Sequence, residues 1–536
     1  MIIRTIMAAA MMCCACTYSL ADNSGFGKIT NDTFWNTADG KPLYSQGGGI
    51  FRFTDPKDGR TKFFWYGVRY SGAIEYRRDP SVTVERSVFD AVTCYSSENL
   101  IDWHYEGDVL TRSEADSHGK AGWVGRLGVA YVKEAGKYAL FVQYSNRHSS
   151  GVLITTAESP TGQFRWHRLK NMRNMIGTPN TGDQTVFTDD DTGRSYLIYS
   201  FGRGRNRIYV SEIGVCNDSI DLTDCTEVFH GKSREGNCMF KYAGRYYMCA
   251  SNIYGWDGSY AYWLAADDIR GPYLPTNDMQ VMAGCDADYA HVSQTGFFVT
   301  LKGTKQETVV YCGDRWCNFA GNGLGYNQWV PLSFDADRRP VFHSLSSWHL
   351  NAQTGEWHVA ADNNYVLNGS FEADRRSIPN PVKPRQEHLL GWTTETPKGR
   401  QVAVDDSLSP RLNYMNTRDD RMKVTGEKSL QMSDSEAFCR RVWQELGSVA
   451  GQQLPDGTYT LRAHARRSGT FSRVEMFATS GGRRLSCAIP ATATDWTEIE
   501  IKHVRVEGGR AVIGFVADGN AGAVCLIDDV SFCAEL

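Results

Sequence analysis

Helical periodicity is scarce in this sequence: across 536 residues, apolar side chains rarely recur at three- and four-residue spacing. That excludes a helical bundle and argues against a βα alternation. Long apolar runs are missing too. The run near the start, Ile6 to Met12, is too short to span a bilayer, so no transmembrane segment is expected. The formal net charge is -4 and no basic stripe occurs, so there is no electrostatic case for nucleic acid as a partner. No glycine fingerprint follows a strand and opens a helix, so no organic cofactor is expected. Of the fifteen cysteines, the twelve beyond residue 21 form no CxxC pair and no zinc-spaced cluster. Cys216 with Cys225, and Cys312 with Cys317, are close enough in sequence to close short loops. Small buried hydrophobes in strands, as at Cys238 and Cys249, are the alternative reading.

Aromatics and glycine are abundant instead: 12% of residues are aromatic and 52 are Gly. This composition suits many short strands joined by tight turns, and the length suits two or three domains. One pattern recurs five times, a turn followed by an aromatic-rich strand, at 61–68, 136–145, 193–201, 244–251 and 306–316. Before each lies another strand, at 47–53, 126–132, 183–187, 235–240 and 294–299. The spacing fits propeller blades, with the preceding strand innermost. A polar residue stands at or just before each inner strand: Gln46, Arg126, Asp183, Glu235 and Gln294. Equivalent positions on five inner strands converge on one end of the channel, where a site is expected.

Three parts are expected. Arg4, the apolar run and Ser19-Leu20-Ala21 read as a signal peptide over residues 1–21. Cys16 after Ala15 offers a lipid anchor as the alternative. The protein is therefore expected to be exported: periplasmic, cell-surface or secreted. Residues 22–361 read as the propeller, closing near Trp348 and Trp357. Alternating strands such as 457–467 and 510–519 make residues 362–536 a separate β-sandwich. The fold class is thus all-β, a five-bladed β-propeller followed by a jelly-roll-like sandwich.

Two segments, GDQTVFTDDDTGRSYL (182–197) and REGNCMFKYAGRYYM (234–248), together resemble glycoside hydrolase family 43, over roughly residues 30–360. Further stretches, including SNIYGWDG, DDIRGPY, SQTGFF and YCGDRW, are similar to its exo-galactanase-like branch. The C-terminal NGSFE…GW…LIDDVSF pattern resembles carbohydrate-binding jelly-roll modules. The resemblance implies an inverting exo-glycosidase acting on a polysaccharide or oligosaccharide. It would release terminal β-galactosyl units, as a galactan 1,3-β-galactosidase does, or α-L-arabinofuranosyl units, from arabinogalactan-type chains. Glu235 would be the general acid and Asp183 the residue that holds it and raises its pKa. The first-blade Asp expected as base is absent, its place falling in Ser45-Gln46-Gly47-Gly48. Gln294 matches the fifth-blade Gln that serves the branch instead, orienting water or acting through an imidic tautomer. The second-blade Glu of that branch is lost, its segment reading Gly125-Arg126-Leu127-Gly128-Val129 here, which puts another sugar, such as β-galactofuranose or β-xylose, in play.

Each residue also has a plainer reading. Glu235 could pair with Arg234 at the surface, Asp183 could cap a turn, and Gln294 could bond backbone. Tyr254 and Trp256 could stack against sugar faces or pack a blade. Asp314 and Arg315 could bind sugar hydroxyls or pair together, Gln46 could bind substrate, Arg126 could bind a substrate hydroxyl or hold a channel carboxylate, and His291 reads as local structure, with a role as base the alternative. Asp189-Asp190-Asp191 suits a hairpin turn better than a calcium loop, and a structural calcium elsewhere is left open. A propeller that binds glycan without cleaving it is the reading from another class, motivated by the missing base.

Overall fold

The computed structural model describes residues 25–79, 88–276, 278–317, 322–373, 389–401, 411–412 and 422–535. The expected signal peptide and Cys16 lie outside the described residues. Five antiparallel sheets follow one another along the chain, each beginning with an inner strand: Gln46–Thr54, Ala121–Val132, Thr181–Thr188, Glu235–Tyr242 and Gln294–Lys302. Every inner strand lies against the inner strand of the next sheet, and the fifth lies against the first. The ring is therefore closed: a five-bladed β-propeller.

Local chemistry explains the blades. In the fourth, Glu235–Tyr242 turns back into Arg245–Ser251 through Ala243 and Gly244, both at positive φ (47° and 79°). That is the backbone a two-residue hairpin with the twist of its strands requires. Apolar and aromatic side chains then fill the space between neighbouring sheets. Phe240 packs on Phe298 at 4.7 Å and stacks on Tyr247, joining the fourth and fifth blades. Trp65, Trp103, Trp329 and Trp348 are fully buried together, where a three-stranded sheet of Gly27–Thr30, Ser347–Leu350 and Trp357–Val359 covers the seam between the first and fifth blades. Each such ring removed from water contributes roughly 2–3 kcal/mol. Cys216 and Cys225 are free thiols, and so is the buried Cys312; the side chain of Cys317 is outside the described set. The buried cysteines pack as small hydrophobes.

Beyond residue 360 two five-stranded antiparallel sheets form a β-sandwich. One is built on Phe438–Leu446 and Ala511–Gly519, the other on Gly457–Ser468 and Val524–Ala534. Phe371, Trp392, Phe438, Leu461, Phe515 and Phe532 fill the space between them. The sandwich touches the propeller through polar contacts, His343 Nδ1 to the Gly451 carbonyl (2.8 Å) and Arg315 to Glu372 (3.2 Å).

One irregularity recurs in all five inner strands. The register slips between Gln46 and Gly49, Val124 and Leu127, Thr181 and Gln184, Glu235 and Cys238, and Thr295 and Phe297. Every slip contains a glycine. A bulge adds a residue to one strand and re-aims its side chains, so five bulges at one end of the ring point side chains into the channel mouth. Gly236 shows why glycine is needed: its φ is +60°, and a Cβ there would sit 2.4 Å from the Thr295 carbonyl oxygen. Gly236→Ala should therefore cost about 2 kcal/mol or more, lowering the midpoint of the propeller's melting transition in calorimetry. A midpoint unchanged from the parent would show that the bulge tolerates a side chain.

Candidate active site

The bulges surround a cavity of about 290 Å³ at one end of the channel. Glu235, Asp183, Gln294 and Arg126, from four different blades, line it together. Arg205, from the loop after the second strand of the third blade, joins them. Trp123, Trp256, Trp316 and Tyr70 form its apolar walls. Their rings lie in edge and tilted contact, with Trp256 5.7 Å from Trp316 and 6.4 Å from Trp123. Flat apolar walls beside converging polar groups are what a sugar presents complements to, C–H faces for the rings and hydroxyls for the polar atoms.

Arg126 sets the geometry of the polar groups. Its Nη1 donates to Asp314 (2.8 Å), its Nε to Asp183 (3.3 Å) and its Nη2 to Gln294 Oε1 (2.7 Å). A guanidinium has no acceptor, so the Gln294 atom facing it must be the oxygen. The amide nitrogen is thereby turned to Glu235 and donates to its Oε1 at 3.0 Å. With Oε1 taken as acceptor, a proton on Glu235 belongs on Oε2. Arg205 Nε, 3.5 Å from Oε2, is again only a donor, so that proton is left to point into the cavity.

Glu235 is 7% exposed. Burial pushes its carboxyl up to about 8, the Asp183 carboxylate adds to the shift, and Arg205, Arg126 and the Gln294 hydrogen bond oppose it. Asp183 is itself fixed: its Oδ2 also accepts the Gly236 N–H (2.8 Å), and its backbone carbonyl accepts from the Asn237 amide (3.1 Å). Burial works against the charge of Arg126, yet Asp314 and Asp183 more than offset it and the guanidinium stays ionised. Arg234 faces the other way, as strand neighbours do, bonding Asp278 (2.9 Å) and lying over the Tyr262 ring. It is not the partner of Glu235.

Other residues singled out in the sequence lie away from the cavity wall. Gln46 precedes its bulge and is turned to the fifth blade, its amide donating to the Arg315 and Tyr326 carbonyls (2.9 and 3.2 Å), while Gly47 takes the lining position. Asp314 sits behind Arg126, 1% exposed, also accepting the Gly47 N–H. Arg315 points to the Val292 carbonyl and Glu372, not to Asp314. Tyr254 packs against Tyr260 and Tyr289. His291 bridges Asp32 (2.8 Å) and Ser344 (2.7 Å) beside a separate cavity. Asp189 accepts from Lys241 and Tyr246, and Asp191 pairs with Lys241 and Lys302, so lysines tie down this acidic hairpin. Among the lining residues that escaped the sequence reading are Trp123, Trp316, Tyr70, Gln143 and Arg205. A glycine at each inner-strand start was the available signal for the bulges that bring them together.

Residues 78–326 match the model of the glycosyl hydrolases family 43. Over that segment the chain is a family 43 glycosyl hydrolase. No curated protein matches it. Solved structures similar to it include an exo-β-1,3-galactanase from Phanerochaete chrysosporium with galactose (19% identity, TM-score 0.52, 94% of this chain and 100% of that one). Another form of that enzyme, with β-1,3-galactotriose, aligns equally well at 18% identity over the same shares, with TM-score 0.52. An exo-β-1,3-galactanase from Clostridium thermocellum covers 88% of this chain and 100% of its own, at 18% identity and TM-score 0.52. At this level of identity the likeness establishes the shared propeller fold. The glycosidase hydrolyses O-glycosyl bonds, so its partner is a glycan substrate.

The raised Glu235 carboxyl also bears on stability. The folded protein holds this proton up to about pH 8, whereas the unfolded chain releases it near the ordinary glutamate value of about 4.3. Between those values the unfolded state binds fewer protons, so stability falls as pH rises through the window and levels off above it. Glu235→Gln removes this loss. Relative to the parent, the variant should gain on the order of a few kcal/mol between pH 4.5 and 8, read as diverging melting temperatures. Parallel curves would contradict the shift.

Proposed function

We propose that the cavity is the catalytic centre of an exo-acting, inverting glycosidase that removes terminal sugars from arabinogalactan-type polysaccharide. β-Galactosyl units are the first choice and α-L-arabinofuranosyl units the second. The observation that carries this reading is the setting of Glu235: a buried carboxyl lining the cavity, held between two groups that can only donate to it, with burial and the Asp183 carboxylate pushing it up to about 8. That is the condition a general acid needs to protonate a leaving glycosidic oxygen. The cavity is a pocket enclosed by blade ends and tryptophans, which suits a chain end better than a chain interior.

In the proposed reaction Glu235 gives its proton to the glycosidic oxygen as the C–O bond breaks. A water adds to the anomeric carbon from the opposite face, as inversion requires. Gln294 orients that water through the oxygen lone pair Arg126 leaves free. The proton lost by the water replaces the one Glu235 donated, so the cycle consumes one water and leaves the enzyme unchanged. Asp183 keeps Glu235 protonated and in place. Similarity to the exo-β-1,3-galactanase structures supports the galactosyl choice, and loss of the branch's second-blade Glu, where Gly125 stands, keeps other terminal sugars in the screen.

Glu235→Gln should lower kcat on 4-nitrophenyl β-galactoside or de-branched galactan by about a thousandfold or more. Proton NMR of the parent reaction should show the inverted anomer first. The parent rate should fall above about pH 8, where Glu235 ionises. A variant with parental activity, or release of the retained anomer, would sink the proposed mechanism.

A further inference from the structure

Two guanidiniums reach the cavity, and only one is fully engaged. Arg126 uses Nε, Nη1 and Nη2 on Asp183, Asp314 and Gln294. Arg205 has a buried Nε with no hydrogen-bond acceptor among the described residues, and its ion-pair partner there is Glu235, at 3.5 Å. When Glu235 holds the proton that acid catalysis requires, Arg205 has no counter-charge paired with it among the described residues. Its side chain is 41% exposed against 10% for Glu235, so the guanidinium stands between the acid and solvent, at the mouth.

The position is built rather than incidental. Arg205 adopts a left-handed backbone (φ 51°), a strained state for a residue with a side chain that the surroundings must enforce. The surroundings do so: the Arg205 carbonyl accepts the Arg234 N–H (2.8 Å), and Ser233 Oγ donates to the Gly204 carbonyl (2.5 Å). This clamps the loop to the start of the strand that carries Glu235. The Arg205 stem lies over Gly182, whose absent Cβ would come within 3.2 Å of Arg205 Cγ. Arg203, exposed two residues earlier, adds a second positive charge to the same loop.

We propose that Arg205 makes the cavity mouth a subsite for an anionic group on the substrate, a uronate carboxylate or a sulfate ester, so that acidic glycans are preferred over neutral ones. The proposal rests on the glycosidase reading and narrows its substrate class. A planar guanidinium matches a carboxylate or sulfate with two parallel hydrogen bonds, and an anion supplies the charge that neutral Glu235 does not. A sugar hydroxyl would satisfy the geometry but leave the charge unmatched.

The test is equilibrium binding in the Glu235→Gln background, using methyl β-galactoside, methyl β-galacturonide and methyl 6-sulfo-β-galactoside as probes. At low salt one anionic probe should bind about tenfold or more tighter than the neutral one, the scale of a charge-assisted hydrogen bond. The preference should shrink with added salt, disappear in Arg205→Gln and survive in part in Arg205→Lys. Which anion gains decides between uronate and sulfate. Equal affinity for all three probes, or a preference that persists in Arg205→Gln, overturns the proposal. Binding ratios judge Arg205 without turnover, whereas absence of hydrolysis by the parent protein would count against the glycosidase mechanism itself.

Discussion

A guanidinium can only give hydrogen bonds, and that restriction on Arg126 organises the site. Its 2.7 Å contact forces the Gln294 amide into one orientation, the amide then occupies one oxygen of Glu235, and the acid's proton is left a single position. The same guanidinium binds Asp314 and Asp183, so one buried cation on the second blade links a carboxylate of the third blade to a carboxylate and an amide of the fifth. A buried charge unmatched in this way would be costly. The network is satisfied at every Arg126 nitrogen, which is why a charge can remain inside the ring.

Such a network needs strands from separate blades to end at the same height with their first side chains turned inward. A closed ring supplies the first condition, because each inner strand lies against the next. The five bulges supply the second. Regular pleating would alternate side chains between the two faces of each sheet, and the added residue breaks that alternation where the channel opens. The glycines inside the bulges admit close approach of neighbouring backbone, as at Gly236 beside Thr295. Chemistry and fold therefore meet in the same short segments, and a substitution there disturbs both.

Much of this was legible in the sequence and some was not, for physical reasons. The five aromatic-rich repeats are visible because blade cores demand rings and β-branched side chains at period two. Polar residues opening the inner strands stand out against that background, and four of them, Arg126, Asp183, Glu235 and Gln294, meet in the cavity. Gln46 does not, because it precedes the slipped register of its strand and its amide is drawn to carbonyls on the fifth blade. Arg315 and Tyr254 are likewise claimed, one by Glu372 of the sandwich and the other by a tyrosine cluster. Trp123 and Trp316 became walls through register shifts in their own strands, Ala121–Val132 and Glu307–Cys317, which no spacing rule exposes. Arg205 sits in a loop whose backbone sign cannot be read from residue types.

Acid catalysis in this cavity requires Glu235 to be neutral at the pH where the enzyme works. The most direct measurement is a carbon-13 NMR titration of the protein labelled at glutamate side-chain carboxyls, with the Glu235 signal assigned by its loss in Glu235→Gln. A midpoint close to 8 is expected for that signal. A midpoint near 4.5, the ordinary value for this side chain, would mean that the carboxyl is already ionised at neutral pH and that the cavity holds no acid.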